Sequence, residues 1–496
     1  MTPTLIFTGL IGYFLVLLSI GFVTGRKANS NSYFLGNKES LWWMVALGML
    51  SDSMSGVSFI GVPGAVKTNN FYYMQVVMGY FVGYLVIAYV LLPLYYKHNV
   101  TSIYTYLYQR FGLIHQRTGA FFFVISRLLG SAGRLYLTAD ILQTFLFKAW
   151  GVPFVVTVSI IIVLILAYTI RGGIRTLVFT DALQSVFLVG GLVVCISAIL
   201  VGLNGSDGYI SILQKSLYVS FFNWDVWSPT FFGKQFVGGM FICIAMTGLD
   251  QNMMQKNLSC KTPQESQKNM ITTAFVVLFV NFLFVSLGVF MLQYLNQVNP
   301  ALITDPTVKT DMYFPIIALQ YLGPFAGMAF VLGLSAATFS SADSVLTTLT
   351  TSTYFDLLGI DAKTQWSDSK KQKVRSQLHI LFAFLLLISI LGFYEFSNGA
   401  IIDVVLSLAN YTYGPLLGLF ALGILTKFKP DGWGIVWVSL ISPLLCWILA
   451  KNQFITQSLG WESWNWKYQF GFELILLNGL FSFIGYWLVL KVAKRL

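Results

Sequence analysis

The chain has 496 residues, a mean hydropathy of +0.73, 56% hydrophobic and only 10% charged residues. This excludes a string of soluble domains and places it among polytopic membrane proteins. Its formal net charge of +11 would suit nucleic acid or an anionic membrane surface, and the distribution of that charge decides between them.

A helical span needs roughly 20 apolar residues. By that measure 13 spans are predicted, at 3–25, 41–65, 71–96, 119–147, 153–169, 178–203, 232–254, 271–295, 323–354, 378–394, 399–425, 431–450 and 471–490. The weak ~10-residue alternation of a membrane β-barrel is absent, so the expected class is all-α. The first span follows MTPTL, with no Lys or Arg before it and no small-residue cleavage site after it, and is expected to be a retained helix, not a signal peptide.

The second span reads MVALGMLSDSMSGVSFIGVPGAV (44–66) and carries Ser51, Asp52, Ser53, Ser55, Ser58, Gly56, Gly61 and Pro63. Such a stretch is a poor continuous helix in hydrocarbon, and unwinding would free carbonyl oxygens. The fourth holds two arginines, Arg127 and Arg134. Arg134 is read either as half of a structural ion pair, with Asp140 or Asp181, or as a clamp for an anionic solute, because a guanidinium matches a carboxylate bidentately. Asp181 lies at the start of the sixth span. The seventh, FVGGMFICIAMTGLDQNMM (236–254), repeats the glycine-rich interruption. Interrupted spans five apart have opposite orientations, the pattern of an inverted repeat with a midplane site; close packing at glycines is the plainer reading. Trp224 and Trp227, in the outer loop 204–231, read as interface anchors, and the inner loop 355–377 as a solvated basic segment.

The ninth span ends in LSAATFSSADSVLTTLTTSTYFD (334–356), a run of hydroxyls with Asp343 inside it. A bilayer core has no water for these groups, so they face protein, a cavity or an ion, or bond back to the preceding turn. Ser340, Ser341 and Ser344 lie on nearly one helical face, where their oxygens could replace the hydration shell of a small hard cation. The four cysteines show no paired spacing and read as buried thiols; with three histidines no transition-metal site is apparent. No nucleophile–base constellation is apparent, which argues against an enzyme. The loops after odd-numbered spans, with the C-terminus, hold 21 Lys and Arg against 7 on the opposite face. The bias puts the C-terminus in the cytoplasm and the N-terminus outside, so the basic charge is a topology signal and not a nucleic-acid patch. The end at KVAKRL carries no appended signalling domain that a sensor would need.

In SDSMSGVSFIGVPG (51–64), GGIRTLVFTDALQ (172–184), TGLDQNMMQKNLSCKTPQESQKN (247–269), ATFSSADS (337–344) and YGPLLGLFALGI (413–424) the chain resembles the sodium/solute symporter family, over most of its length. That family includes sodium–glucose cotransporters, proline permease and bacterial sialic acid transporters. The resemblance implies a LeuT-type fold: an extra helix at 3–25, a first repeat at 41–203, a second inverted repeat at 232–425, and flanking helices at 431–490. It also implies a sodium-coupled symporter in the plasma membrane that imports a small polar solute such as a sugar or carboxylate, with no oligomer required.

For the main sodium site, Na2, the resemblance implies carbonyls at Ser51, Met54 and Ala337 and hydroxyls at Ser340 and Ser341. A second site, Na3, is implied at Asp181, Ser340 and Ser344, where a family serine becomes Asp343. That carboxylate could strengthen a second sodium, take a proton or pair with Arg134. Proton coupling through Asp181 and Asp343 is the alternative to sodium. Ser53, Ser55, Ser58 and Arg134 match solute-binding positions, with Gln75 about a turn from the position of a pocket glutamine, which falls on Gly79 or Val77. The residues matching the galactose-binding set, Ser53, Ser58 and Met246, do not support a galactose-like pocket.

Overall fold

The computed structural model describes residues 2–25, 30–203, 208–396, 409–428, 432–451 and 468–493. We label its principal helices α1 (Pro3–Gly25), α2 (Trp42–Ser53), α3 (Gly56–Asn69), α4 (Tyr73–Lys97), α5 (Leu113–Phe145), α6 (Phe154–Ile170), α7 (Gly173–Gly202), α8 (Phe232–Gly248), α9 (Gln251–Asn257), α10 (Pro263–Val298), α11 (Gly323–Leu357) and α12 (Asp368–Glu395). They are followed by α13 (Gly414–Leu425), α14 (Gly434–Ala450) and α15 (Leu474–Ala493). There is no β-strand among the described residues. Among the described residues, seven helices are long and apolar enough to cross a membrane, nine when each bent pair is one span. Shorter apolar helices at α6, α14 and α15 lie where spans are predicted, whereas 399–408 of the predicted span 399–425 falls outside the described residues.

Both interrupted spans are bent pairs. Helices α2 and α3 meet at 57°, and α8 and α9 at 66°. At the first break Met54 (φ −98°, ψ 85°) and Ser55 (φ −77°, ψ 169°) leave helical conformation. Ser51 Oγ donates back to the Gly48 carbonyl at 3.0 Å, and short polar residues of this kind weaken a helix where the chain must turn. Gly56 restarts the helix against α5 and α11; a Cβ there would come within 2.1 Å of Thr338 Oγ1 and 2.6 Å of Thr138 Oγ1. At the second break Asp250 caps α9, its carboxylate accepting from the backbone N–H of Asn252 (2.9 Å) and Met253 (3.3 Å).

Helix α7 is the spine of the site. Gly173, at φ +53°, turns the chain out of α6 with Tyr33 packed against it, so that α7 starts beside the short helix Ser30–Leu35. Helices α1, α2 and α11 all pack on the α6–α7 segment. The serine-rich helix α11 and the broken α2 are therefore brought to one neighbour, Asp181, although far apart in sequence.

Candidate ion and solute site

At the first break, Ser51 Oγ lies 2.7 Å from Ser340 Oγ, 3.0 Å from the Gly48 carbonyl and 3.3 Å from that of Asp181. Ser340 Oγ in turn donates to Asp181 Oδ1 at 3.2 Å and to Asp52 Oδ1 at 3.4 Å. Ser51, Ser340, Ser341, Asp52 and Asp181 are all buried. The two breaks differ in how their carbonyls are satisfied. In the second, Tyr95 donates to the Gly248 carbonyl (2.8 Å), Tyr104 to that of Leu249 (3.0 Å) and Arg127 to that of Met246 (3.0 Å). In the first, the carbonyls of Ser51 and Met54 have no such partner among the described residues. Buried carbonyls without donors beside convergent hydroxyls suit a hard cation that lacks an N–H or O–H to offer.

The expected second-sodium set is arranged differently. Asp181 Oδ2 is 2.5 Å from Lys256 Nζ, and the same ammonium is 2.5 Å from Asp52 Oδ2. Lys256 sits on α9 with 1% of its side chain exposed. Counting it as a basic loop residue is therefore corrected; the charge bias then stands at 20 to 7. Asp343 accepts from Tyr168 OH (2.8 Å) and from Ser344 Oγ (3.2 Å), so it is not the partner of Arg134. Ser344 Oγ also reaches Asp181 Oδ2, at 3.5 Å.

A cavity of about 110 Å³ opens beside the first break, lined by Ser53, Ser55, Ser58, Tyr84, Arg134 and Thr247 among others. Ser53 Oγ is 3.1 Å from Tyr84 OH. Both arginines of α5 face this cavity, but they differ in company. Arg127 is paired with Asp250, whose carboxylate also accepts from Tyr413 OH at 2.6 Å. Arg134 donates to Ser341 Oγ at 3.3 Å and has no carboxylate partner among the described residues. Neither expected pair, with Asp140 or with Asp181, is formed among the described residues, and Asp181 is held by Lys256 instead.

Gln75 departs from expectation. It is buried away from the cavity, its amide donating to the carbonyls of Tyr72 (3.2 Å) and Thr230 (3.1 Å) while its oxygen accepts from Asn223 N–H (3.2 Å). It pins the outer loop to α4. Gly79 and Val77 do not line the cavity either; Gly79 lies against the α8 backbone at Phe236. The residues that sequence reasoning missed are Lys256, Tyr168 and the tyrosines of the cavity wall. A basic residue only eight positions beyond Gly248, in a segment already at membrane depth, was the available signal for Lys256.

The sodium:solute symporter family model matches residues 33–439. The chain belongs to that family. It is thus a sodium-coupled, multi-pass membrane transporter, not an enzyme. The sodium/sialic acid symporter SiaT of Proteus mirabilis is 24% identical over 444 residues, covering 88% of each chain. Sodium-coupled monocarboxylate transporter 2 of Danio rerio is 27% identical over 418 residues, 81% of this chain and 64% of the longer relative. Among solved structures, a Na+-coupled sialic acid symporter in a substrate-bound outward-open state superposes with a TM-score of 0.82 at 22% identity, covering 98% of each chain. Mhp1, a nucleobase-cation-symport-1 family transporter, gives 0.53 at 13% identity, covering 94% of this chain and 96% of its own. The fold of this symporter is LeuT-type: two inverted five-helix repeats, headed by α2–α3 and by α8–α9.

Proposed function

We propose that this symporter imports a small carboxylate-bearing solute, held by Arg134 in the cavity beside the first break and driven by sodium at the carbonyls of Ser51, Met54 and Ala337 with the hydroxyls of Ser340 and Ser341. The observation that carries the solute assignment is Arg134: a half-buried guanidinium lining a cavity, with only a hydroxyl for a partner among the described residues. A lone cation in such a place is expensive, and an anionic ligand offsets the expense by forming two parallel hydrogen bonds. Ser53, Ser55 and Ser58 offer donors and acceptors for the rest of a polar solute. The similarity to sialic acid and monocarboxylate symporters supports the same class.

Coupling follows from a shared element. Met54 lines the cavity with its side chain while its carbonyl is assigned to sodium, so the ion orders the very turn that positions Ser53 and Ser55. Sodium would hold α2 against α11 and favour the outward-facing state; solute binding would then allow closure and inward opening. One sodium moving down ~100 mV yields about 2.3 kcal/mol, and a tenfold gradient about 1.4 more, which together sustain accumulation of several hundredfold. The excess of basic residues on one face supports an external N-terminus and a cytoplasmic C-terminus in the plasma membrane. Proton coupling through Asp181 and Asp343 has less support, since Asp181 is already neutralised by an ammonium.

A thermal-shift screen of the purified protein against monocarboxylates, sialic acids, amino acids and neutral sugars, with and without sodium, tests the reading. A carboxylate should stabilise the protein, and do so in sodium but not in choline. Stabilisation by neutral sugars alone, undiminished in Arg134→Ala, would overturn the solute assignment.

A further inference from the structure

We propose that Lys256 is a resident cation that fills the place of a second sodium, so that this symporter carries one sodium per cycle. The proposal rests on the sodium site assigned above and concerns the neighbouring carboxylates. Asp52 and Asp181 approach each other from α2 and α7, and Ser340 Oγ bridges them, 3.4 Å from one Oδ1 and 3.2 Å from the other. Two carboxylates and a hydroxyl converging in a dry interior require a cation. That cation is Lys256 Nζ, 2.5 Å from Oδ2 of each.

The ammonium suits this position chemically. It is a compact point charge with three donors, and two of them are spent on the two carboxylates. Asn252, from the same short helix, adds an amide to Asp52 Oδ2 at 3.3 Å. The set expected for a second sodium (Asp181, Ser340, Ser344 and Asp343) therefore does not fit a free ion, because its central carboxylate faces the lysine. Two like charges ~4 Å apart at an effective dielectric constant of ~20 repel strongly enough to weaken binding about a thousandfold. The lysine also stays when a sodium would leave. Being tethered to α9, it joins the second break to the first throughout the cycle.

Equilibrium binding of ²²Na⁺ to the purified full-length protein in detergent, without solute, tests this. The wild type should saturate at one sodium per chain. Lys256→Gln should raise this to two, with the added sodium lost again in Lys256→Gln/Asp181→Asn. Because a charge left unpaired could prevent folding, Lys256→Gln/Asp52→Asn removes one charge of each sign and should also bind two. Lys256→Arg should stay at one. Two sodium ions per wild-type chain, or a folded Lys256→Gln/Asp52→Asn variant that remains at one, would overturn the proposal. A wild type that binds none would instead defeat the sodium-site assignment itself.

Discussion

The hydroxyl of Ser51, in the last turn of α2, lies 2.7 Å from the hydroxyl of Ser340, in the middle of α11. These residues stand 289 positions apart in sequence. Their contact joins the end of a broken helix to a continuous one, at the point where α2 gives up its backbone hydrogen bonds. The sodium proposed above, held there, would tie the two helices together, and its departure would remove the tie. From this relationship the functional consequences can be tested.

Replacing Ser340 and Ser341 together by Ala removes two of the oxygens assigned to sodium. Each hydrogen-bond-strength contact to a charge contributes about 1.5–3 kcal/mol, so the sodium concentration for half-maximal uptake should rise about a hundredfold or more. Radiotracer uptake across a sodium–choline series measures this. The same variant should lose sodium-dependent thermal stabilisation, which for a single site reaches about 2.7 kcal/mol at a hundred times Kd. Unaltered sodium dependence in a folded variant would remove these serines from the site.

Arg134→Ala should reduce affinity for carboxylate solutes at least about tenfold, since a charge-assisted pair is worth about 1.5–3 kcal/mol. Arg134→Lys should recover only part, because an ammonium lacks the planar fork. Competition binding with the best carboxylate from the screen, beside a neutral analogue, separates recognition from general damage. Equal loss for both analogues would make Arg134 a structural residue.

Arg127 and Asp250 are different: they pair with each other, and Tyr413 joins them. Asp250→Asn leaves a buried guanidinium without its counter-charge, while the amide oxygen can still cap α9, so the protein should lose about 3–5 kcal/mol of stability through the broken pair. Arg127→Gln/Asp250→Asn should be less destabilised than Asp250→Asn alone. Thermal unfolding in detergent measures both. Additive losses would show that the pair is not coupled.

Gln75→Ala should leave solute affinity within about twofold, a change of about 0.4 kcal/mol, since the buried side chain holds the outer loop and lies outside the cavity. Limited proteolysis should instead cut faster between Asn223 and Thr230, where the amide contacts end. A large loss of solute affinity with unchanged proteolysis would place Gln75 back in the pocket.

Much of this architecture was readable along the chain. Runs of apolar residues announce spans because the bilayer enforces length and internal hydrogen bonding. Ser51 to Ser58 and the glycines of 236–254 announce breaks because glycine and short polar side chains weaken helices locally; the second bend falls after Gly248, while Gly238 and Gly239 stay within α8. The hydroxyl run announced α11 as a polar face.

The sequence alone therefore determined membrane class, the two interruptions and the family, all of which depend on residues near one another. Only the tertiary structure decided which charges neutralise which. Lys256 lies 204 positions from Asp52 and 75 from Asp181, and reads as loop charge until α9 is folded back into the interior. Gln75 and Arg134 were both candidates for solute, Arg134 at a matching position and Gln75 a turn away from one, yet Gln75 is consumed by a loop and Arg134 faces a cavity. Electrostatic pairing depends on distances of a few ångströms between helices, and no local pattern encodes these.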